Sequence, residues 1–167
     1  IYKAVNNTNL NEDQKTVVSH ALTNFYLSGV DLDDLKKQKL FDLRQKLSQL
    51  TTKFSENVLD STDKWTLSIS EEELIGLNED QKNYFRQIAK THNLEEEFAI
   101  GLDGPSYQII LNYCENRDIR EKVYKAYAVR ASSNCQVSSD FDNKAIVDQI
   151  IQIRYQIAQT LGYKNYL

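Results

Sequence analysis

Methionine is absent from the 167 residues, proline occurs once, glycine five times, and histidine and cysteine twice each. One proline and five glycines cannot supply the many tight turns of a β-sandwich or barrel, so an all-β fold is excluded. No run approaches the ~18 consecutive apolar residues of a membrane-spanning helix, and no membrane partner is expected. A basic excess is also missing. With 20 Lys and Arg against 24 Asp and Glu, the chain lacks the electrostatic footprint of a nucleic-acid binder. Two histidines and two cysteines leave little material for a metal site. Cys114 and Cys135 read as reduced thiols of a cytoplasmic protein rather than a disulfide framework. The lack of an initiator methionine predicts a processed or an excised chain, and residues 1–10 show no remnant of a signal peptide.

What is present is helical punctuation. Asn11-Glu12-Asp13-Gln14 is a capping box, in which Asn11 accepts from the amide of Gln14 and the Gln14 side chain reaches back. Val17, Val18, Ala21, Leu22 and Phe25 then recur at three- and four-residue steps until Gly29 closes the helix. Asp31 is the expected cap of the next element, with Asp33 and Asp34 favoured by the helix dipole. Leu40, Leu43, Leu47, Leu50, Phe54 and Val58 mark a long amphipathic helix to about Thr62. Its seam lasts only about three heptads, which predicts packing inside a helical body rather than a coiled coil.

Lys64 to Ile69 alternates with period two and reads as a strand, as does Glu97 to Leu102. Paired, they would form a short antiparallel ribbon lying on helices. Ser70 to Glu73 and Asn78 to Gln81 are further capping boxes, the first opening a brief turn through Leu77 and the second a helix to about Thr91. The hexapeptide Leu-Asn-Glu-Asp-Gln-Lys occurs at 10–15 and again at 77–82, but Thr16-Val17-Val18 after the first copy does not match Asn83-Tyr84-Phe85 after the second. It is one capping solution used twice, not a structural repeat. Pro105 fits a first helical turn. Asn116 caps a helix through Arg130, and Ser132 to Asp140 is a loop. Asn143 begins a final helix ended by Gly162. Its apolar face, Ile146, Ile150, Ile153 and Ile157 widened by Val147, Ile151, Tyr155 and Ala158, predicts burial on several sides.

No constellation of catalytic residues emerges. His20 and His92 lie 72 positions apart, without the H-E-x-x-H spacing of a zinc helix. They read as a stripe-edge residue and a helix-end residue. Cys114, between Tyr113 and Glu115, lacks the electropositive setting of a nucleophile and reads as a small buried thiol. Ser132, Ser133, Ser138 and Ser139 read as solvated loop residues. Glu71 to Glu73 and Glu95 to Glu97 read as solvated charge, since consecutive carboxylates cannot converge on one cation. Tyr124 and Tyr127 with Arg120 and Arg130, and the cluster Tyr155, Tyr163 and Tyr166, could line a peptide groove. The expectation is instead that these rings pack between helices with hydroxyls at the surface.

Two ordered blocks are more specific. The first is Phe25-Tyr26-Leu27-Ser28-Gly29-Val30-Asp31-Leu32 with Lys36-Lys37, Leu47 to Leu50 and Phe54 to Asp60. The second comprises Arg120-Glu121, Tyr124, Ala126-Tyr127, Arg130-Ala131, Asp142-Asn143, Ile153-Arg154 and Leu161 to Tyr166, with Pro105-Ser106-Tyr107 and Tyr113-Cys114 between the two. From about Leu10 onward this order resembles the oligopeptidase A and thimet oligopeptidase family of zinc metallopeptidases. The resemblance implies a longer, mostly helical protein with a channel between two halves that admits short flexible peptides. It places the zinc-binding H-E-x-x-H helix and third glutamate carboxy-terminal to these blocks. There zinc would activate water, with the motif glutamate as general base.

The resulting expectation is a mainly α segment with one two-stranded antiparallel ribbon at about 64–69 and 97–102. It is read as a single scaffold or channel-wall piece of the amino-terminal half of a cytoplasmic zinc oligopeptidase. Residues 1–167 are assigned no catalytic, cofactor-binding or metal-ligating residue. The Ser28-Gly29 turn and Arg120 to Ala131 are expected to be scaffold. Zinc belongs to the parent protein. Expected partners are the catalytic domain of the same chain and, for the parent, short peptides; the isolated segment is expected to self-associate or bind a hydrophobic dye. The competing reading is a free-standing helical binding module without catalysis.

Overall fold

A computed structural model describes residues 10–166. The expectation about a signal remnant falls mostly on residues 1–9 and lies outside the described residues. The elements are α1 (Glu12–Ser28), α2 (Asp34–Asp63), β1 (Thr66–Ile69), α3 (Glu79–Thr91), β2 (Phe98–Gly101), α4 (Gly104–Tyr113), α5 (Arg117–Ala128) and α6 (Lys144–Thr160). Short 3₁₀ turns lie at Glu71–Glu73 and Ser139–Phe141. The fold is mainly α with one small ribbon, as the sequence predicts.

Local chemistry accounts for most boundaries. Both copies of the hexapeptide start a helix in the same way. Asn11 Oδ1 accepts from the Gln14 amide at 2.8 Å, and Asn78 Oδ1 accepts from the Gln81 amide at 3.0 Å. Each glutamine side chain accepts the cap residue's own amide in return. Gly29 closes α1 in the left-handed region at φ 87°. A Cβ there would collide with Leu40, the buried leucine of α2.

Two caps differ from expectation, at α2 and α6, and a third completes the start of α4. Asp33, not Asp31, opens α2, its carboxylate accepting the Lys36 amide at 2.9 Å. Asp103 caps α4 through the Ser106 amide at 3.0 Å. At α6 the first free amide, Lys144 N–H, donates to Asp142 at 2.9 Å. Asn143 is drawn elsewhere: its Nδ2 donates to Phe54 O at 3.0 Å and its Oδ1 accepts from Asn57 Nδ2 at 2.9 Å. An inward-facing amide is costly to leave unpaired, so it takes these partners in preference to the helix end. α5 stops at Ala128, two residues short of Arg130; Val129 is its C-cap, and Ala131 then turns the chain with φ 49°.

The described residues fall into two compact units, one of residues 10–49 and 150–166, the other Leu50–Gln149. The second carries a continuous core. Ile69, Leu74, Leu77, Phe85, Phe98, Ile100, Leu102, Ile110, Cys114, Ile119, Val123 and Ala126 form one buried cluster. At roughly 1.5–3 kcal/mol per large buried side chain, this is its main source of stability. β1 and β2 pair antiparallel with Thr66 opposite Gly101 and Ile69 opposite Phe98. Every residue of β2 is buried, and α3 packs against it through Phe85 and Ala89 while α4 packs on α5. The connection from β1 to α3 turns at Gly76 with φ 92°, where Glu115 N–H donates to Ile75 O at 2.8 Å. A Cβ at Gly76 would overlap the Tyr113 carbonyl.

The other unit is different in kind. Leu40 and, on α6, Ile150, Ile153, Ile157 and Ala158 are buried, but no residue of α1 is. The broad apolar face of α6 is buried only in part. Val147, Ile151 and Tyr155, spaced by four, form an exposed strip beside the buried isoleucines.

Candidate functional site

Two places gather polar side chains. The first lies where α3 meets the start of α4. Tyr84 on α3 donates its hydroxyl to Asp103 Oδ1 at 2.7 Å, and the Ser106 hydroxyl donates to Asp103 Oδ2 at 2.5 Å. Burial disfavours the charged Asp103 carboxylate. The bonds from the Ser106 side chain and amide and from Tyr84 outweigh it and hold the group below its ordinary value. Tyr84 moves the opposite way. Burial first, then the bond to Asp103, pushes its phenol up to about 12. The carboxylate is therefore ionised and fully engaged as an acceptor. This cluster fastens a helix start; it offers no nucleophile. Its signal in the sequence is Asp103 three residues before Ser106, an N-cap spacing that brackets Pro105.

The second gathering is aromatic. Tyr107 on α4 stacks on Tyr127 on α5 with ring centroids 3.9 Å apart, and the Arg130 guanidinium lies 3.3 Å above the Tyr127 ring. For Tyr127 the expectation of packing between helices is met. Tyr124 departs from it, being exposed, as do Tyr155, Tyr163 and Tyr166. Arg120 lines a shallow open depression with Leu111, Arg117, Glu121 and Tyr124, but its guanidinium is tied down there. Its Nη1 donates to the carbonyls of Cys114 at 2.6 Å and Glu115 at 2.9 Å, tying the α4–α5 connection.

The remaining candidates are dispersed. His20 is exposed on α1, and His92 is half-buried at the end of α3. Among the described residues, no three His, Cys, Asp or Glu side chains stand close enough to hold a metal ion. These residues do not fit a zinc site. Cys114 is buried, its thiol pushed up by burial, and both cysteines are free. Ser132 bonds the Val129 carbonyl, and Ser138 caps the 3₁₀ turn after it.

The acidic runs are less idle than expected. Glu71 reaches Lys82 at 2.9 Å and Glu97 reaches Arg86 at 2.7 Å, with Glu79 near both cations. This network braces α3 against the ribbon ends. The Lys82 hydrogen bond lowers the Glu71 carboxyl below its ordinary value. The signal for this bracing lies in the cations rather than the acidic runs: Lys82 and Arg86 sit at i and i+4 on the face of α3 that meets those glutamates.

The unit built from residues 10–49 and 150–166 holds a cavity of about 460 Å³, lined by Leu27, Leu47, Ile157, Leu161, Arg44 and Tyr163 among others. Arg44 is fixed there by donating to the Leu27 and Ser28 carbonyls at the end of α1. It spends its guanidinium on the carbonyls that a helix end leaves open.

No helix is long and apolar enough to cross a membrane among the described residues. No family model matches the chain. Curated relatives do, and they are peptidases. Oligopeptidase A of Escherichia coli (strain K12) is 37% identical over 158 residues, 94% of this chain. From Arabidopsis thaliana, "Probable cytosolic oligopeptidase A" is 39% identical over 164 residues, and "Organellar oligopeptidase A, chloroplastic/mitochondrial" is 39% identical over 166. The resemblance carried by the two residue blocks is borne out across almost the entire chain. In the other direction the coverage is small: the chain spans 23% of the length of the first two of these relatives and 20% of the third.

Proposed function

We propose that these residues are a scaffold or channel-wall segment of a longer, zinc-dependent, oligopeptidase A-like enzyme that hydrolyses short peptides in the cytoplasm. The observation that carries the reading is the span of the similarity. Identity of 37–39% runs over 94% of the chain while covering 23% of the relatives. What the described side chains do is consistent with scaffolding. Asp103, Arg120 and Arg44 are all committed to helix ends, and the Tyr107–Tyr127–Arg130 stack joins two helices. The reacting groups and the zinc then belong to other residues of the parent, and the catalytic domain is this segment's partner within one chain.

The test compares the full-length gene product with the 167-residue chain. The full-length protein should cleave a quenched fluorogenic peptide, lose that activity to a chelator and regain it with zinc. The short chain should do neither. Stoichiometric zinc on the 167-residue chain, with chelator-sensitive hydrolysis, would overturn the scaffold assignment.

A further inference from the structure

The helix α1 poses a problem of its own. From Thr16 to Val30 the chain carries no Asp, Glu, Lys or Arg, although 26% of all residues are charged. A surface helix facing water ordinarily takes charge on its outer face. This one does not. Val18 and Leu22 are half-buried, while Val17 is 68% exposed and Phe25 57%. On a helix, Val17, Ala21 and Phe25 follow one another at i, i+4 and i+8, so they form a single outward strip beside the half-buried one. Tyr26 and Val30 prolong the apolar surface past the helix end, and Leu35, at the start of α2, is 86% exposed.

We infer that this uncharged strip is an internal docking surface, covered in the parent by apolar helices of the same polypeptide. The inference rests on the proposed reading of the chain as part of a longer oligopeptidase. Three observations choose the occupant. Depletion of charge with enrichment of aromatics marks the dry centre of an interface, not its wet rim. The strip lies on the unit whose described residues contribute nothing to the continuous buried cluster, which Leu50–Gln149 carries. More than three quarters of the relatives' length lies outside the stretch that matches this chain, enough to supply the covering helices. A solvent-facing role would need charge, and a nucleic acid or an acidic partner would need Lys or Arg on the strip.

Hydroxyl-radical footprinting read by mass spectrometry tests this on native protein, with no substitution. The 167-residue chain and the full-length parent are labelled side by side over a range of concentrations. Oxidation of Phe25 and Tyr26 should fall in the parent toward the level of a buried ring such as Phe85, as water exclusion at an interface centre requires. Phe85 should stay protected in both, and the parent's protection should not vary with concentration. Equal oxidation of Phe25 in the two proteins would overturn the inference. So would protection that appears only as the parent dimerises, which would make a second copy the occupant. Peptide hydrolysis by the parent is scored separately, so a parent without peptidase activity would sink the enzymatic reading and leave the footprint to judge the docking surface.

Discussion

The Asn57 and Asn143 carboxamides are buried, and Asn57 has no described partner besides Asn143; its Oδ1 accepts nothing. Replacing Asn143 with Ala would strand the Asn57 amide as well. Asn143→Ala should therefore cost about 1–3 kcal/mol, the desolvation penalty of a polar group left unpaired. Replacing both residues with leucine should recover much of that loss, since no buried side-chain amide is then left unpaired and only the Phe54 carbonyl loses its Asn143 donor. Urea denaturation of the two variants measures the difference. Neither asparagine is legible in the sequence as a core residue. Along α2 the apolar seam points to Phe54 and Val58, yet the fully buried positions beyond Leu40 are Asn57 and Ser61. A pattern of hydrophobicity cannot show a polar residue that is buried because its partner arrives 86 positions later. Tyr84 gives a pH prediction at the same scale. Its folded value, about 12, lies above the unfolded value near 10. The protonated hydroxyl therefore stabilises the fold fully below pH ~10, and that contribution is lost as pH rises toward 12. In Tyr84→Phe the fall in stability over that window should be shallower, as read by alkaline titration of the urea midpoint.

At the scale of elements, backbone chemistry decides more than hydrophobicity. Gly76 takes a left-handed conformation against the Tyr113 carbonyl, so an alanine there meets both strain and a clash. Gly76→Ala should lose about 1–3 kcal/mol. Gly104 opens α4 with an ordinary φ and open space around it. Gly104→Ala should gain about 0.4–1 kcal/mol by removing unfolded-state freedom. Thermal melting of the pair should move in opposite directions. Element starts and stops are largely legible because capping is local: Asn11, Asn78, Asn116 and Gly29 act within three or four residues of themselves. Asp31 and Asp33 both stand before the same apolar run, so the run alone does not choose the cap. In the fold Asp33 stands one residue before α2, where its carboxylate reaches the Lys36 amide.

For the whole molecule, the two units differ in how their stability is stored. Residues 50–149 bury twelve side chains in one cluster, while α1 buries none. Amide hydrogen exchange should follow that contrast, with Phe98–Gly101 and α3 opening only in global unfolding and α1 opening far more readily. Uniform protection across α1 and β2 would contradict it. The isolated chain should also bind a hydrophobic dye, and Phe25→Lys should reduce that binding without lowering the melting temperature, since the ring has little burial to lose. The relationship to oligopeptidase A is legible at this scale because residue order over a long span is far more specific than any single motif. The bracing of α3 is only half legible: Lys82 and Arg86 share a helix face in the sequence, but only the fold brings Glu71 and Glu97 to them.

The repeated hexapeptide amounts to a controlled experiment performed by the chain on itself. One helix-start signal is set in two surroundings, ahead of an unburied helix and ahead of one that fills a core, and the same pair of reciprocal hydrogen bonds forms in both. Surroundings do not select that turn. A peptide spanning 77–91, cut free of every tertiary contact, should keep a nascent helical start at Asn78, and one spanning 10–25 should keep it equally at Asn11. The difference between the two helices is then written only after the sixth residue, in whether charge or apolar side chains come next.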